Sequence, residues 1–183
     1  ASGNANGIAG VNWTSKILPA RVLGKCGGYT SDIVDAIRWS AGVAVPGVPN
    51  NANPARVLNM SLGTWTTCTA SMQSAIDAAL AAGAVVVVSA GNNDRDASVS
   101  TPGNCNGVIT VGATGREGQR ASYSNFGPLV EISAPGGSDA ENVLSTISDS
   151  ATAPALGNYT YGYKQGTSMA APQVAGIVSL MLS

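Results

Sequence analysis

The chain has 183 residues, a formal net charge of −1 and only 10% charged residues, against roughly 25% in an average soluble protein. This balance argues against a nucleic-acid binder, which would carry a basic patch, and no apolar run approaches the roughly 18 residues of a membrane span. The length fits one substantial core, so residues 1–183 are expected to form a single domain.

Strands and helices alternate along the predicted structure. A strand over Lys16–Leu23 leads to a helix with Thr30 or Ser31 as its N-cap, and Pro46–Pro54 is expected to be a surface loop. A second helix is capped by Thr69 and ends at Gly83, and a third begins near Ser168. The other predicted strands are Ala55–Leu62, Ala84–Gly91, Gly107–Thr114, Leu129–Ala134 and Tyr159–Lys164.

This order predicts an α/β fold in three layers, with a mainly parallel, twisted sheet and helices on both of its faces. The strand residues "AVVVV" are apolar throughout, as expected where helices cover both faces of a sheet. Ligands bind such sheets at the carboxyl ends of the strands. Three motifs are expected there: "NMSLG", "VSAGNN" and "GTSMAAP".

The motif "GTSMAAP" puts Ser168 at the start of the last helix. There its backbone N–H has no helical partner and lies at the positive end of the helix dipole. The hydroxyl could then attack a carbonyl carbon while the N–H helps to hold the resulting oxyanion. The alternative is that Thr167 or Ser168 is simply an N-cap. Likewise, the Asn92 amide could donate to an oxyanion or merely form a turn.

In this order, "VLNMSLG", "VVVVSAGN", "SNFG", "APGG" and "GTSMAAPQVAG" resemble the subtilisin-like serine peptidases, and secreted bacterial members most closely. The resemblance extends from about Gly7 to the last residue. It implies a subtilisin-like fold, a secreted location and endopeptidase activity on polypeptide substrates. No nucleic acid or membrane partner is implied, and a monomer is expected.

The resemblance also implies roles for individual residues. Ser168 would be the nucleophile, and Asn92 would donate to the oxyanion together with the Ser168 backbone N–H. Two triplets match the walls of the substrate cleft: Ser61, Leu62 and Gly63 on one side, and Ser89, Ala90 and Gly91 on the other. The base of the pocket is expected near Val99–Pro102, with a small, apolar lining that favours an apolar or aromatic substrate side chain.

The family's catalytic triad of Asp, His and Ser is incomplete in this chain. There is no histidine, and no aspartate stands in the sequence context of the family's catalytic acid. We therefore expect the N-terminal part of the fold, with the Asp and His, to be missing. Because a serine without a base is a poor nucleophile, this chain alone is expected to be nearly inactive. Gln173, where the family more often has a histidine, is expected to affect helix packing only.

In related secreted peptidases, cysteines matching Cys68 and Cys105 are bridged, so the resemblance implies this disulfide. Cys26 would then pair with a cysteine outside this chain. The alternative is three reduced thiols.

The stretch "GNANGIAG" resembles the family's calcium loop. Asn4 would bind through its side chain, and Asn6 and Ile8 through their carbonyl groups, which suits a structural calcium ion. The alternative is a plain Asn/Gly turn.

Two other functions are compatible with parts of the sequence. A catalytically silent relative would only bind peptides through "SLG" and "SAG", and an Asp and a His upstream would argue against it. A nucleotide-binding domain using "VLGKCGG" fits poorly, because the glycines lack the G-x-G-x-x-G spacing.

Overall fold

The computed structural model describes residues 7–149, 157 and 159–183. In chain order its elements are α1 (Thr30–Ser40), β1 (Val57–Met60), β2 (Thr64–Trp65), α2 (Ala70–Ala81), β3 (Val85–Ser89), a short 3-10 helix (Ala97–Val99), β4 (Ser100–Thr101), β5 (Ile109–Thr114), β6 (Ile132–Pro135), β7 (Val143–Ser148), β8 (Tyr159–Lys164) and α3 (Thr167–Met181). Four strands form a parallel sheet in the order β1-β3-β5-β6.

Helices pack on both faces of this sheet, which confirms the predicted α/β fold. Because successive strand residues point to opposite faces, Val86 and Val88 of β3 join a core cluster with α1 and α2. Val87, between them, belongs to a second cluster with Ala170 and Ala171 of α3. All three valines are completely buried. The strand "AVVVV" is therefore apolar throughout because it serves two cores.

Two small antiparallel sheets, β2 with β4 and β7 with β8, lie outside the central sheet. The bounds of β8 are those predicted, whereas β2, β4 and β7 were not predicted. A strand of two residues is too short to show any periodicity, and its conformation depends on the partner strand. For β2 and β4 the partners are Thr64 with Thr101 and Trp65 with Ser100.

The predicted strand Lys16–Leu23 is wrong. It pairs with no strand among the described residues, where the nearest pairing is an isolated bridge between Gly24 and Gly27. The side chain of Ile17 is 90% exposed. Strand propensity alone does not make a strand, because the backbone N–H and C=O groups need a partner edge.

The helix boundaries show which local signals are strong. As predicted, Thr69 caps α2, with its hydroxyl accepting from the Met72 N–H at 3.3 Å, and the chain leaves that helix at Gly83, with φ +85°. The predicted N-cap of α1 is wrong, because the cap is Tyr29 and no side chain bonds to the helix end. The loop Pro46–Pro54 contains no helix or strand, as predicted.

Gln173 connects α3 to the sheet. Its side-chain amide donates to the carbonyl oxygen of Pro135 at the end of β6 and, at 3.4 Å, to that of Met169. Position 173 therefore contributes to packing, as the sequence predicted. No helix among the described residues is long and apolar enough to cross a membrane.

Candidate active site

A cleft of about 310 Å³ opens where β1 and β3 end. The two strands are parallel neighbours, so the loops that follow them leave from the same edge of the sheet. The cleft is lined by Leu62, Gly63, Thr64, Trp65, Ser89, Gly91, Asn92, Asn93, Ser100 and Ser168. The fold thus brings the predicted nucleophile, the predicted oxyanion donor and both predicted walls to one cavity.

Ser168 lies in the first turn of α3, two residues after a glycine with an unusual backbone. Gly166 has φ +148°, a value that other residues rarely adopt. Its N–H has two acceptors, the Gly136 carbonyl oxygen at 2.9 Å and the Tyr123 hydroxyl at 3.0 Å. Burial raises the pKa of Tyr123, so the phenol keeps its proton, which it donates to the Gly136 and Gly137 carbonyl oxygens. The turn that leads into Ser168 is thereby held in place.

Pro172 leaves the Ser168 carbonyl oxygen free to bond to Ser61, the residue that follows β1. Because proline has no N–H, the Ser168 carbonyl oxygen lacks its helical partner four residues later. The Ser61 hydroxyl donates to this oxygen at 3.0 Å. The Ser168 hydroxyl oxygen, in turn, lies 3.5 Å from the Ser61 carbonyl oxygen. Among the described residues the Ser168 hydroxyl therefore makes one long contact, while the Ser168 backbone is fixed to Ser61.

Asn92 is oriented by Thr167. Its side-chain oxygen accepts from the Thr167 N–H and from the Thr167 hydroxyl, each at 2.8 Å. The same hydroxyl accepts from the Gly91 N–H at 3.2 Å. With its oxygen held by these two donors, the amide must present its NH₂ group elsewhere. The sequence predicted Asn92, but Thr167 only as a candidate cap.

Two N–H donors lie beside Gly166. A Cβ atom placed on this glycine would be 3.4 Å from Asn92 Nδ2 and 3.6 Å from Ser168 N. Within the described ranges the Ser168 N–H has no acceptor, as expected for the first turn of a helix. A side chain at position 166 would therefore contact both the Asn92 amide and the Ser168 backbone, and glycine avoids these contacts.

Four of the six predicted wall residues line the cleft, whereas Ser61 and Ala90 do not. The Ser61 hydroxyl instead bonds to the Ser168 carbonyl oxygen. Leu62 and Gly63 line one side, and Ser89 and Gly91 line the other. Ala90 is completely buried and does not line the cavity, which corrects its predicted role. Because neighbouring residues of an extended chain face opposite ways, Ala90 points behind the wall that Ser89 and Gly91 form.

The predicted base of the pocket is only partly correct. Within Val99–Pro102, Ser100 alone lines the cavity, and the side chain of Val99 is 44% exposed. Ser100 and Ser89 are both buried and both carry hydroxyls. The lining is therefore small, as expected, but partly polar rather than apolar.

A tryptophan at the rim of the cleft was not predicted. Trp65 donates its indole N–H to the Asn93 side-chain oxygen at 2.8 Å. The guanidinium carbon of Arg95 lies 4.4 Å from the centroid of the indole ring, which is a cation–π distance. Trp65 is nevertheless 57% exposed. The sequence signal that could have placed Trp65 at the cleft is its position two residues after the "SLG" motif.

A disulfide and two side-chain hydrogen bonds stabilise the wall that carries Trp65. Cys68 and Cys105 form a disulfide with their Cα atoms 5.2 Å apart. The Asn104 side-chain amide donates to the carbonyl oxygens of Thr66 and Ser98, both at 2.9 Å. The disulfide and the two-residue ladder of β2 and β4 therefore tie together two loops that border the cleft.

The disulfide predicts a thiol count and a stability change. Titration of the denatured, unreduced chain is expected to detect one thiol, Cys26, which is exposed and outside the disulfide. Replacing both Cys68 and Cys105 by serine is expected to lower the free energy of unfolding by about 3–4 kcal/mol, because the bridge closes a loop of 37 residues. Urea denaturation measures this change, with Cys26→Ser as the control. Three thiols before reduction would contradict the disulfide.

Neither a histidine nor a carboxylate is found among the described residues that line the cleft. The whole sequence has no histidine. Asp94 pairs with Arg120 at 2.7 Å. Asp96 caps the short 3-10 helix, and hydrogen bonds from the Ser98 backbone and side chain lower its pKa.

Half of the predicted calcium loop, residues 3–6 of 3–10, falls outside the described residues. Asn4 and Asn6 lie outside them, and Ile8 lies inside. In the described ranges no three His, Cys, Asp or Glu side chains come together to hold a metal ion. Since calcium takes six to eight oxygen ligands, the one carbonyl of Ile8 does not make a site by itself.

The Subtilase family model matches residues 1–183. An extracellular protease of Xanthomonas campestris pv. campestris is 51% identical over 180 residues, which are 98% of this chain and 30% of that protein. An extracellular basic protease of Dichelobacter nodosus is 49% identical over 180 residues, or 98% of this chain and 29% of that protein. A solved protease structure from Pseudoalteromonas arctica has a TM-score of 0.93 at 49% identity and covers 97% of this chain and 53% of that one. The chain thus spans under a third of these two relatives and about half of the solved chain.

Proposed function

Because the chain belongs to the subtilase family, we propose that it carries the nucleophile, the oxyanion hole and the substrate cleft of a serine endopeptidase. The observation that carries this proposal is the single cleft lined by both Ser168 and Asn92. The chain contains no histidine, so the rest of the protein would supply the catalytic base and the acid that orients it.

In this mechanism the Ser168 hydroxyl oxygen attacks the carbonyl carbon of the scissile peptide bond. Its proton passes to the histidine and then to the departing amine, which leaves an acyl-enzyme on Ser168. Asn92 Nδ2 and the Ser168 backbone N–H donate to the oxyanion of each tetrahedral intermediate. Water then attacks the ester and releases the second product.

The substrate is proposed to be an extended polypeptide. The chain after β1, with Leu62 and Gly63, would pair with the substrate backbone as an added strand does. None of the side chains that line the cleft is charged. This supports a neutral side chain before the scissile bond, and the exposed Trp65 supports an apolar or aromatic one.

Secretion is proposed from two observations. The disulfide Cys68–Cys105 is typical of oxidising compartments outside the cytosol, and two close relatives are named extracellular proteases. Structural calcium held by Asn4, Asn6 and Ile8 remains a proposal that rests on the family resemblance, and no catalytic step depends on it. A monomer likewise remains a proposal that rests on the family resemblance.

The chain alone is expected to hydrolyse peptides only at background rate, whereas the full-length protein turns over, because Ser168 needs a base. Initial rates on a fluorogenic peptide, at equal concentrations of the two proteins, measure this difference. Turnover by residues 1–183 near the rate of the full-length protein, lost on Ser168→Ala, would contradict the need for a supplied base. A full-length protein that binds peptides without cleaving them would instead support the catalytically silent alternative.

A further inference from the structure

Asn125, in the motif "SNFG", is a buried amide with no role in the proposed mechanism. It is 2% exposed. Its Nδ2 donates to the Ala90 carbonyl oxygen at 2.8 Å. Its Oδ1 accepts from the N–H groups of Asn93 at 3.0 Å and Arg95 at 3.2 Å. Its own backbone N–H donates to the Gly91 carbonyl oxygen at 2.9 Å.

These four hydrogen bonds hold the main chain on both sides of Asn92. The residues from Gly91 to Asp94 belong to no helix or strand, so neither helical nor sheet bonding fixes them. Gly91 has φ +105°, and a Cβ atom there would overlap the Asn125 amide nitrogen. The loop therefore packs directly on the Asn125 side chain, which bonds to it at three points, and the Asp94 N–H donates in addition to the Tyr123 carbonyl oxygen at 2.9 Å.

We propose that Asn125 is a positioning residue for the oxyanion hole. It does not line the cleft and acts through Asn92, so this role rests on the proposed function. Thr167 holds the side-chain oxygen of Asn92, whereas Asn125 holds the backbone from which that side chain extends. Both anchors are needed to aim Asn92 Nδ2 at one point.

The expected kinetic signature follows from how an oxyanion donor works. Such a donor must lie about 2.7–3.1 Å from the oxygen in the transition state, and a displacement of about 1 Å can cost about 100-fold in rate. An interaction made only in the transition state affects kcat and leaves KM nearly unchanged. Loss of Asn125 should therefore reduce kcat, because the loop and Asn92 shift while the cleft walls remain.

The test is a double-mutant cycle in the full-length protein, with wild type, Asn92→Ala, Asn125→Ala and the double variant. Asn125→Ala is expected to lower kcat by about 10- to 100-fold, with KM changed less than about threefold. In the Asn92→Ala background the same substitution is expected to lower kcat by less than about threefold, because its target is already gone. Each protein is assayed well below its own unfolding temperature, so that stability does not enter the rates.

Asn51→Ala is the matched control. Its amide also bonds three main-chain groups, donating to the carbonyl oxygens of Trp39 and Ser40 and accepting from the Asn53 N–H. None of these residues lines the cleft. Asn51→Ala should lower the unfolding temperature but leave kcat within about twofold, because neither Asn51 nor its bonding partners line the cleft.

The outcomes separate the two proposals. An unchanged kcat for Asn125→Ala, or an equal loss in both backgrounds, would overturn the positioning role while the peptidase function stands. A wild-type protein without peptidase activity would overturn the proposed function and this role with it. If Asn125→Ala does not fold, the same cycle with Asn125→Ser decides by the same criterion, since the shorter hydroxyl adds no buried charge and cannot make all three side-chain bonds of the amide.

Discussion

Ser168→Ala in the full-length protein is expected to lower kcat for peptide hydrolysis by about a million-fold, a factor carried over from loss of the nucleophile in a subtilisin. Without the hydroxyl oxygen no acyl-enzyme forms, and only the slow reaction assisted by the oxyanion hole and by binding remains. KM should change little, because the substrate is proposed to be held by the walls of the cleft and the Ser168 hydroxyl acts in bond formation. Steady-state kinetics on a fluorogenic peptide measure both constants.

Ser179→Ala is the control for this variant. It is the same substitution in the same helix, and it removes a hydroxyl that donates to the Gly176 carbonyl oxygen at 2.7 Å. Its kcat should stay within about twofold of wild type, because Ser179 is not among the cleft residues. A Ser168→Ala protein that keeps more than about one per cent of wild-type kcat would show that another group is the nucleophile.

Asn92→Ala is expected to lower kcat by roughly 100- to 1000-fold, the range seen when a subtilisin loses one oxyanion donor. Asn92 Nδ2 should contact the oxygen strongly only after it becomes negative, so KM should change much less than kcat. Thr167→Val should have a smaller effect of the same kind. It removes one of the two 2.8 Å bonds that orient the Asn92 amide and the bond from the Gly91 N–H to the same hydroxyl, and it keeps the bond from the Thr167 N–H.

Steady-state kinetics of these two variants distinguish transition-state stabilisation from ordinary binding. A raised KM with unchanged kcat for Asn92→Ala would mean that Asn92 holds the ground-state substrate instead. A Thr167→Val protein with a larger loss than Asn92→Ala would mean that Thr167 acts on something other than this amide. Thermal unfolding of both proteins is measured in parallel, since Thr167 is completely buried.

Elements with strong local signals were predictable from the sequence. The helix α2 has Thr69 as its cap and Gly83 after its end, and β3 contains an apolar run in which Val86, Val87 and Val88 are completely buried. In contrast, Lys16–Leu23 has strand-forming residues but no strand partner among the described residues. A helix satisfies its own backbone groups, whereas a strand depends on a neighbour that can lie anywhere in the chain.

The sequence by itself determined the fold class, the family resemblance and the identity of Ser168 and Asn92 as candidates, because short motifs and hydrophobic patterns are local. Only the tertiary structure decided that Thr167 orients Asn92, which lies 75 positions earlier in the chain. The tertiary structure also decided that Asn125 bonds to Ala90, 35 positions earlier, and so holds the loop that carries Asn92. It also decided that Ser100 lines the cleft and that Ala90 lies behind its wall. These relations depend on hydrogen bonds and side-chain directions between distant segments, and such contacts leave no periodic pattern in a sequence.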